Sequence, residues 1–161
     1  MRDGPRRDRT GTPPVRLGAA LPMSAIGGGP LDRRSLADGA ATIERLGYRS
    51  IWVFDAVGRG FMLPDPFMAL TVAATVTESV ELGSGILQLP IRNVAEVAHR
   101  AFTLALVAGP RVLLGIGPGS TEADFVTFGG DYSARFATFD AQRAELEEWL
   151  TTGAHRGRSL S

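Results

Sequence analysis

Three patterns in the 161-residue chain carry residue types that could do chemistry. The first is Gly115-Ile116-Gly117-Pro118-Gly119-Ser120-Thr121, in which three glycines let backbone approach a ligand closely and two hydroxyls add donors. Such a run can cradle an anion or a flat ring, and a tight turn after a buried strand would use the same residues. It is not a dinucleotide fingerprint, which belongs to a first strand and needs a differently spaced third glycine with an acidic residue about twenty positions on. The second is Asp55, directly after the apolar run Tyr48 to Phe54. A carboxylate there could orient a substrate, or act as a base if burial raised its pKa, whereas a plain loop Asp would bond nearby backbone N–H groups. The third is the set Ser84, Gly85, Ile86 and Gln88 along one β-prone run. A further run, Gly27 to Gly29, reads as a flexible loop.

Other chemistries are excluded by composition. The chain has no Cys, so it has no thiolate nucleophile, disulfide or cysteine zinc site. All 17 basic residues are Arg, which removes lysine mechanisms. His99 and His155 lie far apart and form no local ligand pair, so no metal site is expected. His99 reads as a solvated or helix-packing residue, and Trp52 and Trp149 as packing residues. Seventeen basic residues balance 17 acidic ones without a basic stripe, which argues against a nucleic-acid partner. No uncharged apolar run approaches the roughly 18 residues of a membrane span, and the stretch Val15 to Ile26 carries Arg16 and Pro22 where an export signal needs continuity. The expectation is a cytoplasmic protein with no membrane partner.

The candidates must be positioned by the elements between them. Residues 1–14, charged and rich in Gly and Pro, read as a disordered tail. Strands are expected over Val15 to Leu21, Tyr48 to Phe54, Val80 to Leu87 and Arg111 to Ile116. Helices alternate with them: one capped by Asp32 and stopped at Gly47, one opened by Asp65-Pro66, one capped by Asn93 and closed at Gly109-Pro110. A last helix from Ser133 to Gly153 puts Phe136, Phe139, Arg143, Leu146 and Leu150 on one stripe. Residues 154–161 read as a polar tail with no room for a fifth unit. One strand, one crossover helix and two short loops need roughly 31 residues, the spacing of a (β/α)8 barrel, and four such units are present. Doubly wound sheets alternate in the same way, so spacing leaves both architectures open. In either one, ligands gather at the C-terminal strand ends, where all three patterns fall.

The stretches GYRSIWVFDAVG, DPFMALTVAATVTESVELGSGILQLPIRNVAEVAHRAFTL and RVLLGIGPGSTEADFVTFGGDYSARFATFDAQRAELEEWL resemble, in order and spacing, the luciferase-like monooxygenase family of flavin- and deazaflavin-dependent oxidoreductases. The resemblance covers residues 15–153 and implies an α/β fold of the TIM (β/α)8-barrel type, here truncated to about four βα units, a half barrel. It implies FMN or the deazaflavin coenzyme F-420 at the C-terminal mouth and a small organic molecule as substrate. Hydride transfer or oxygen activation is the implied reaction. By the same resemblance Ser84, Gly85, Ile86, Gln88, Gly117, Pro118, Gly119 and Ser120 hold the ring, with a bulge and a non-proline cis peptide at Gly85–Ile86, and Asp55 is the catalytic acidic position ending the second strand.

Two departures qualify that expectation. Many family members carry His after the acidic residue where this chain has Ala56, and some deazaflavin enzymes carry an acid where it has Ser120. The chain also matches only the first half of the family's barrel. Four strands curved for a barrel leave two open edges, which implies association of two copies or of this chain with a complementary half-barrel chain. A noncatalytic flavin-binding or partner subunit, or an inactive truncated homologue, is the alternative to an enzyme.

Overall fold

The computed structural model describes residues 15–24 and 31–160, so the expected tail 1–14 and the Gly27 to Gly29 loop lie outside the described residues. Four parallel strands, β1 (Gly18–Ala20), β2 (Ser50–Val53), β3 (Glu81–Gln88) and β4 (Val112–Gly117), pair in their chain order. Between and after them lie α1 (Arg33–Arg45), α2 (Pro66–Val76), α3 (Val94–Ala108), α4 (Glu122–Phe128) and α5 (Arg135–Thr152). The contacts run α1 to α2, α2 to α3 and α3 to α5, a single helical layer following the strands. A doubly wound sheet would reverse its strand order partway. The unbroken order therefore gives the barrel type, as four consecutive βα units.

The helices start where side chains satisfy their free N–H groups. Asp32 accepts from the N–H groups of Arg34 and Ser35, and Ser35 Oγ returns a bond to the Asp32 N–H. Asp65 accepts from Phe67 and Met68 with Pro66 at the first helical position, and Asn93 accepts from Glu96. A carboxylate from α1 ties the layers together: Glu44 accepts the N–H groups of Glu78, Ser79 and Val80, where the chain turns into β3.

Three details differ from the sequence expectation. Helix α5 begins at Arg135 because Asp131 takes the Ser133 N–H at 2.8 Å and its hydroxyl at 2.6 Å, holding that residue in a turn. Its buried stripe is Leu146 and Trp149, while Phe136 is 58% exposed with the Arg135 guanidinium over its ring. Residues 154–159 fold back as an antiparallel hairpin, β5 (Ala154–His155) with β6 (Arg158–Ser159), turned by Arg156 and Gly157 at positive φ. His155 is buried against α5, its Nδ1 2.7 Å from Glu148.

Strand alternation divides the sheet into two faces. Ile51, Val53 and Leu82 point at the helices and join Leu70, Val97 and Leu104 in the core. Trp52 points to the opposite face, the inside of the curve, with Nε1 bonded to Ser50 Oγ at 2.8 Å. Its rings lie where side chains at two neighbouring strands would be: a Cβ at Gly83 would stand 2.5 Å from Trp52, and one at Gly18 2.6 Å. Gly83→Ala should therefore destabilise the fold by about 1–3 kcal/mol through overpacking. A lowered urea midpoint at unchanged slope is the expected reading.

Candidate functional site

The C-terminal ends of β2, β3 and β4 enclose a cavity of about 480 Å³, within the range of ligand pockets. Its character starts with an irregularity in β3. Ser84 pairs with Leu114 and Leu87 with Ile116, so Gly85 and Ile86 stand opposite Gly115 alone, a β-bulge. The Gly85–Ile86 peptide is cis. Ser84 Oγ donates to the Gly115 carbonyl at 2.8 Å, and Gly115 admits no side chain because its Cβ would fall 2.2 Å from the Ser84 carbonyl oxygen. The bulge turns Ile86 out of the packed strand, leaving it 39% exposed in the cavity wall. Gly117 lies opposite, where a Cβ would come 3.0 Å from Ile86 Cδ1.

Around this cavity the structure assembles Asp55, Gly85, Ile86, Gln88 and the loop Gly117 to Ser120, all singled out in the sequence. Ser84 is not among the lining residues: it is buried, and its hydroxyl fastens the bulge from behind. Phe54 and Ile116 add apolar wall, and Arg59 adds a cation.

The polar side of the site is a buried chain of ion pairs. Arg92 grips Asp55 through Nη2 at 2.8 Å to Oδ1 and Nε at 3.2 Å to Oδ2, and the Gln88 N–H adds a third bond to Oδ2 at 3.0 Å. Gln88 Nε2 donates both to the Asp55 carbonyl, at 3.1 Å, and to Asp124 Oδ2, at 2.8 Å. Asp124, on α4 and wholly buried, also accepts the Val57 N–H and the Nε and Nη2 groups of Arg59. Burial opposes ionisation of Asp124, but the bonds from Arg59, Gln88 and Val57 outweigh it and hold the carboxyl below its ordinary value. Removing one member of such a pair leaves an uncompensated buried charge, a loss of about 3–5 kcal/mol in comparable sites. The arrangement contributes geometry more than net stability.

Sequence reasoning did not find Arg59, Arg92 or Asp124, nor helix α4. The partners of Asp124 lie 65, 67 and 36 positions away, and no local pattern announces them. Among the described residues there is no cluster of acidic and histidine side chains suited to a metal ion, and no helix long and apolar enough to cross a membrane.

Phe54, Ile86 and Ile116 thus give the cavity an apolar wall beside a glycine-lined loop. The model of the luciferase-like monooxygenase family matches residues 14–154. A 5,10-methylenetetrahydromethanopterin reductase of Methanolobus tindarius is 32% identical over 117 residues, covering 73% of this chain and 30% of that protein. The oxygenating constituent of 3,6-diketocamphane monooxygenase from Pseudomonas putida, solved with FMN, superposes with a TM-score of 0.73 at 18% identity over 84% of this chain and 39% of that one. The coenzyme F-420-dependent tetrahydromethanopterin reductase of Methanopyrus kandleri gives a TM-score of 0.65 at 22% identity, covering 86% and 41%. The chain belongs to the luciferase-like monooxygenase family, which uses flavin or deazaflavin cofactors. It spans less than half the length of these relatives.

Asp124 supplies a pH prediction. Its folded pKa lies below the unfolded value of 3.8, so the unfolded chain binds the extra proton, and the stability from this group is present above that value and lost as pH falls through the folded one. In urea unfolding from pH 7 to pH 3, Asp124→Asn should be less stable at pH 7, and the gap to the native chain should narrow below about pH 4.

Proposed function

We propose that this chain forms the ring-binding half of a flavin- or deazaflavin-dependent oxidoreductase site acting on a small organic molecule. The observation that carries the reading is the opposition of Ile86, thrown out by the β3 bulge, to the side-chain-free loop at Gly117. Ile86 supplies an apolar face for a planar ring, and the loop from Gly117 to Ser120 supplies backbone groups and a hydroxyl for its edge. Gly85 lets the chain pass close beneath, Pro118 stiffens the loop, and Ser84 acts through the Gly115 carbonyl. A bound ring of either kind supplies hydride transfer, and the flavin also supplies oxygen activation.

In this reading Asp55 orients rather than abstracts. Both of its oxygens accept from Arg92, and one also accepts from the Gln88 N–H. The same observation favours a second reading, a noncatalytic flavin-binding or partner subunit, because Ala56 follows Asp55 and the other lining residues carry no general base. Fluorescence titration of the purified chain with FMN and with coenzyme F-420 tests both. Saturable binding of one of them, abolished in Gly117→Val because the added side chain collides with Ile86, is expected. Absence of binding by the native chain to either would end the proposal, and binding without turnover would select the subunit reading.

The outer edges of β1 and β4 have no strand partner among the described residues. Beside β4 an apolar groove of about 310 Å³ is walled by Leu114, Ile116, Leu146 and Leu150. We propose that a second copy, or a complementary half-barrel chain, covers these edges in the cytoplasm. Light scattering after size exclusion should give a dimeric mass for the purified chain if copies suffice, whereas a clean monomer at micromolar concentration would remove self-association.

A further inference from the structure

Among the described residues only Asp55 and Arg59 are charged side chains lining the cavity, and they are held very differently. Asp55 has its two oxygens bonded inward. Arg59 uses Nε and Nη2 on Asp124, and its Nη1 has no partner among the described residues, with 37% of its side chain exposed. Its fork is therefore held by Asp124 on one side, with Nη1 free on a residue that lines the cavity.

The surroundings show that this placement is built. The Val57 N–H bonds Asp124 at 3.2 Å. Gly58, at φ 72°, lies so close to α4 that a Cβ would stand 2.7 Å from the Ala123 carbonyl oxygen and 2.2 Å from Thr127 Oγ1. Val57 and Gly58 are thus docked on α4 immediately before Arg59, which lines the cavity. Asp124 is in turn held from the other side by Gln88 Nε2. The oxygen of that amide, Gln88 Oε1, is buried without a donor and lies where a Cβ at Gly119 would meet it, which fits an amide whose orientation is dictated by the two acceptors of its Nε2 group, the Asp55 carbonyl and Asp124. A tie between loop and helix alone needs only the Val57 bond and the Gly58 contact. A buried carboxylate devoted to a half-exposed arginine orients that arginine.

We propose that Arg59 is a specificity-determining residue that binds an anionic oxygen, carboxylate or phosphate, on the ligand of this cavity, with Asp124 and Gln88 as its positioning residues. The free Nη1 of a guanidinium held by Asp124 can donate to oxygens of both kinds, whether carried by a substrate or by a cofactor. The proposal does not depend on a flavin-type ring being the ligand.

The test uses simple anions as probes, so its failure is distinct from failure of flavin binding. The Nε–H resonance of Arg59, assigned by its disappearance in Arg59→Gln, is followed during titration with inorganic phosphate and with acetate at constant ionic strength in chloride. A saturable shift with at least one probe, accompanied by shifts of the Gly119 and Ser120 amides, is expected. Response to phosphate alone assigns a phosphoryl group, and response to acetate alone a carboxylate. In Asp124→Asn, and through the loop amides in Arg59→Gln, the apparent affinity should fall roughly tenfold or more, the worth of one charge-assisted hydrogen bond. Should Asp124→Asn fail to fold by circular dichroism, Arg59→Gln decides, since there Asp124 keeps its bonds from Gln88 and Val57. Absence of a saturable shift with both probes, or unchanged affinity in Arg59→Gln, would overturn the assignment.

Discussion

One side-chain amide joins the parts of this site. Gln88 closes β3, and its Nε2 group reaches both the carbonyl of Asp55 after β2 and the carboxylate of Asp124 on α4. Each of those acids holds an arginine, so two strand ends and a short helix are locked by bonds whose members, apart from the partly exposed Arg59, are buried or nearly so. Inside a protein such bonds are strong when complete and costly when broken, which makes the set act as one unit. The positions of the cavity walls follow from it.

The second constraint is the absence of side chains. Gly115 permits the bulge of β3 to close on its neighbour, and Gly83 permits Trp52 to lie flat on the inner face. The bulge moves Ile86 into the cavity while Leu87 stays in the core. A fully regular β3 would keep strict alternation and bury both faces of the strand, leaving no projecting apolar group opposite the Gly117 loop. Fold and site are therefore shaped by the same few residues.

Much of this was legible beforehand because it rests on local rules. Asp32, Asp65 and Asn93 open helices through bonds to residues two or three positions on, and those bonds are present. The Gly117 to Ser120 loop, Gly85 and Asp55 meet at one cavity because barrel strands deliver their C-terminal ends to one mouth. The start of α5, the hairpin at 154–159 and helix α4 were missed, since each is decided by a competing turn or by packing rather than by periodicity. Ser84 was assigned to the cavity by its place in the run, whereas it precedes the bulge and shares the buried face of Leu82, its hydroxyl bonded to the Gly115 carbonyl.

By itself the sequence determined the period of the βα units, the caps, the glycine loop and the family resemblance, all of which depend on neighbours within a few positions or on ordered motifs. Spacing does not separate the barrel type from a doubly wound sheet, because both architectures share it; the family resemblance implied the barrel, and the strand order of the tertiary structure gives it directly. The surroundings of Asp55 and Arg59 had to come from tertiary structure. Whether a carboxylate is free or clamped depends on partners such as Arg92, 37 positions away, and Arg59 is held by Asp124, 65 positions away. Distance and burial, which together set the strength of a charge pair, are not written in the spacing of the chain.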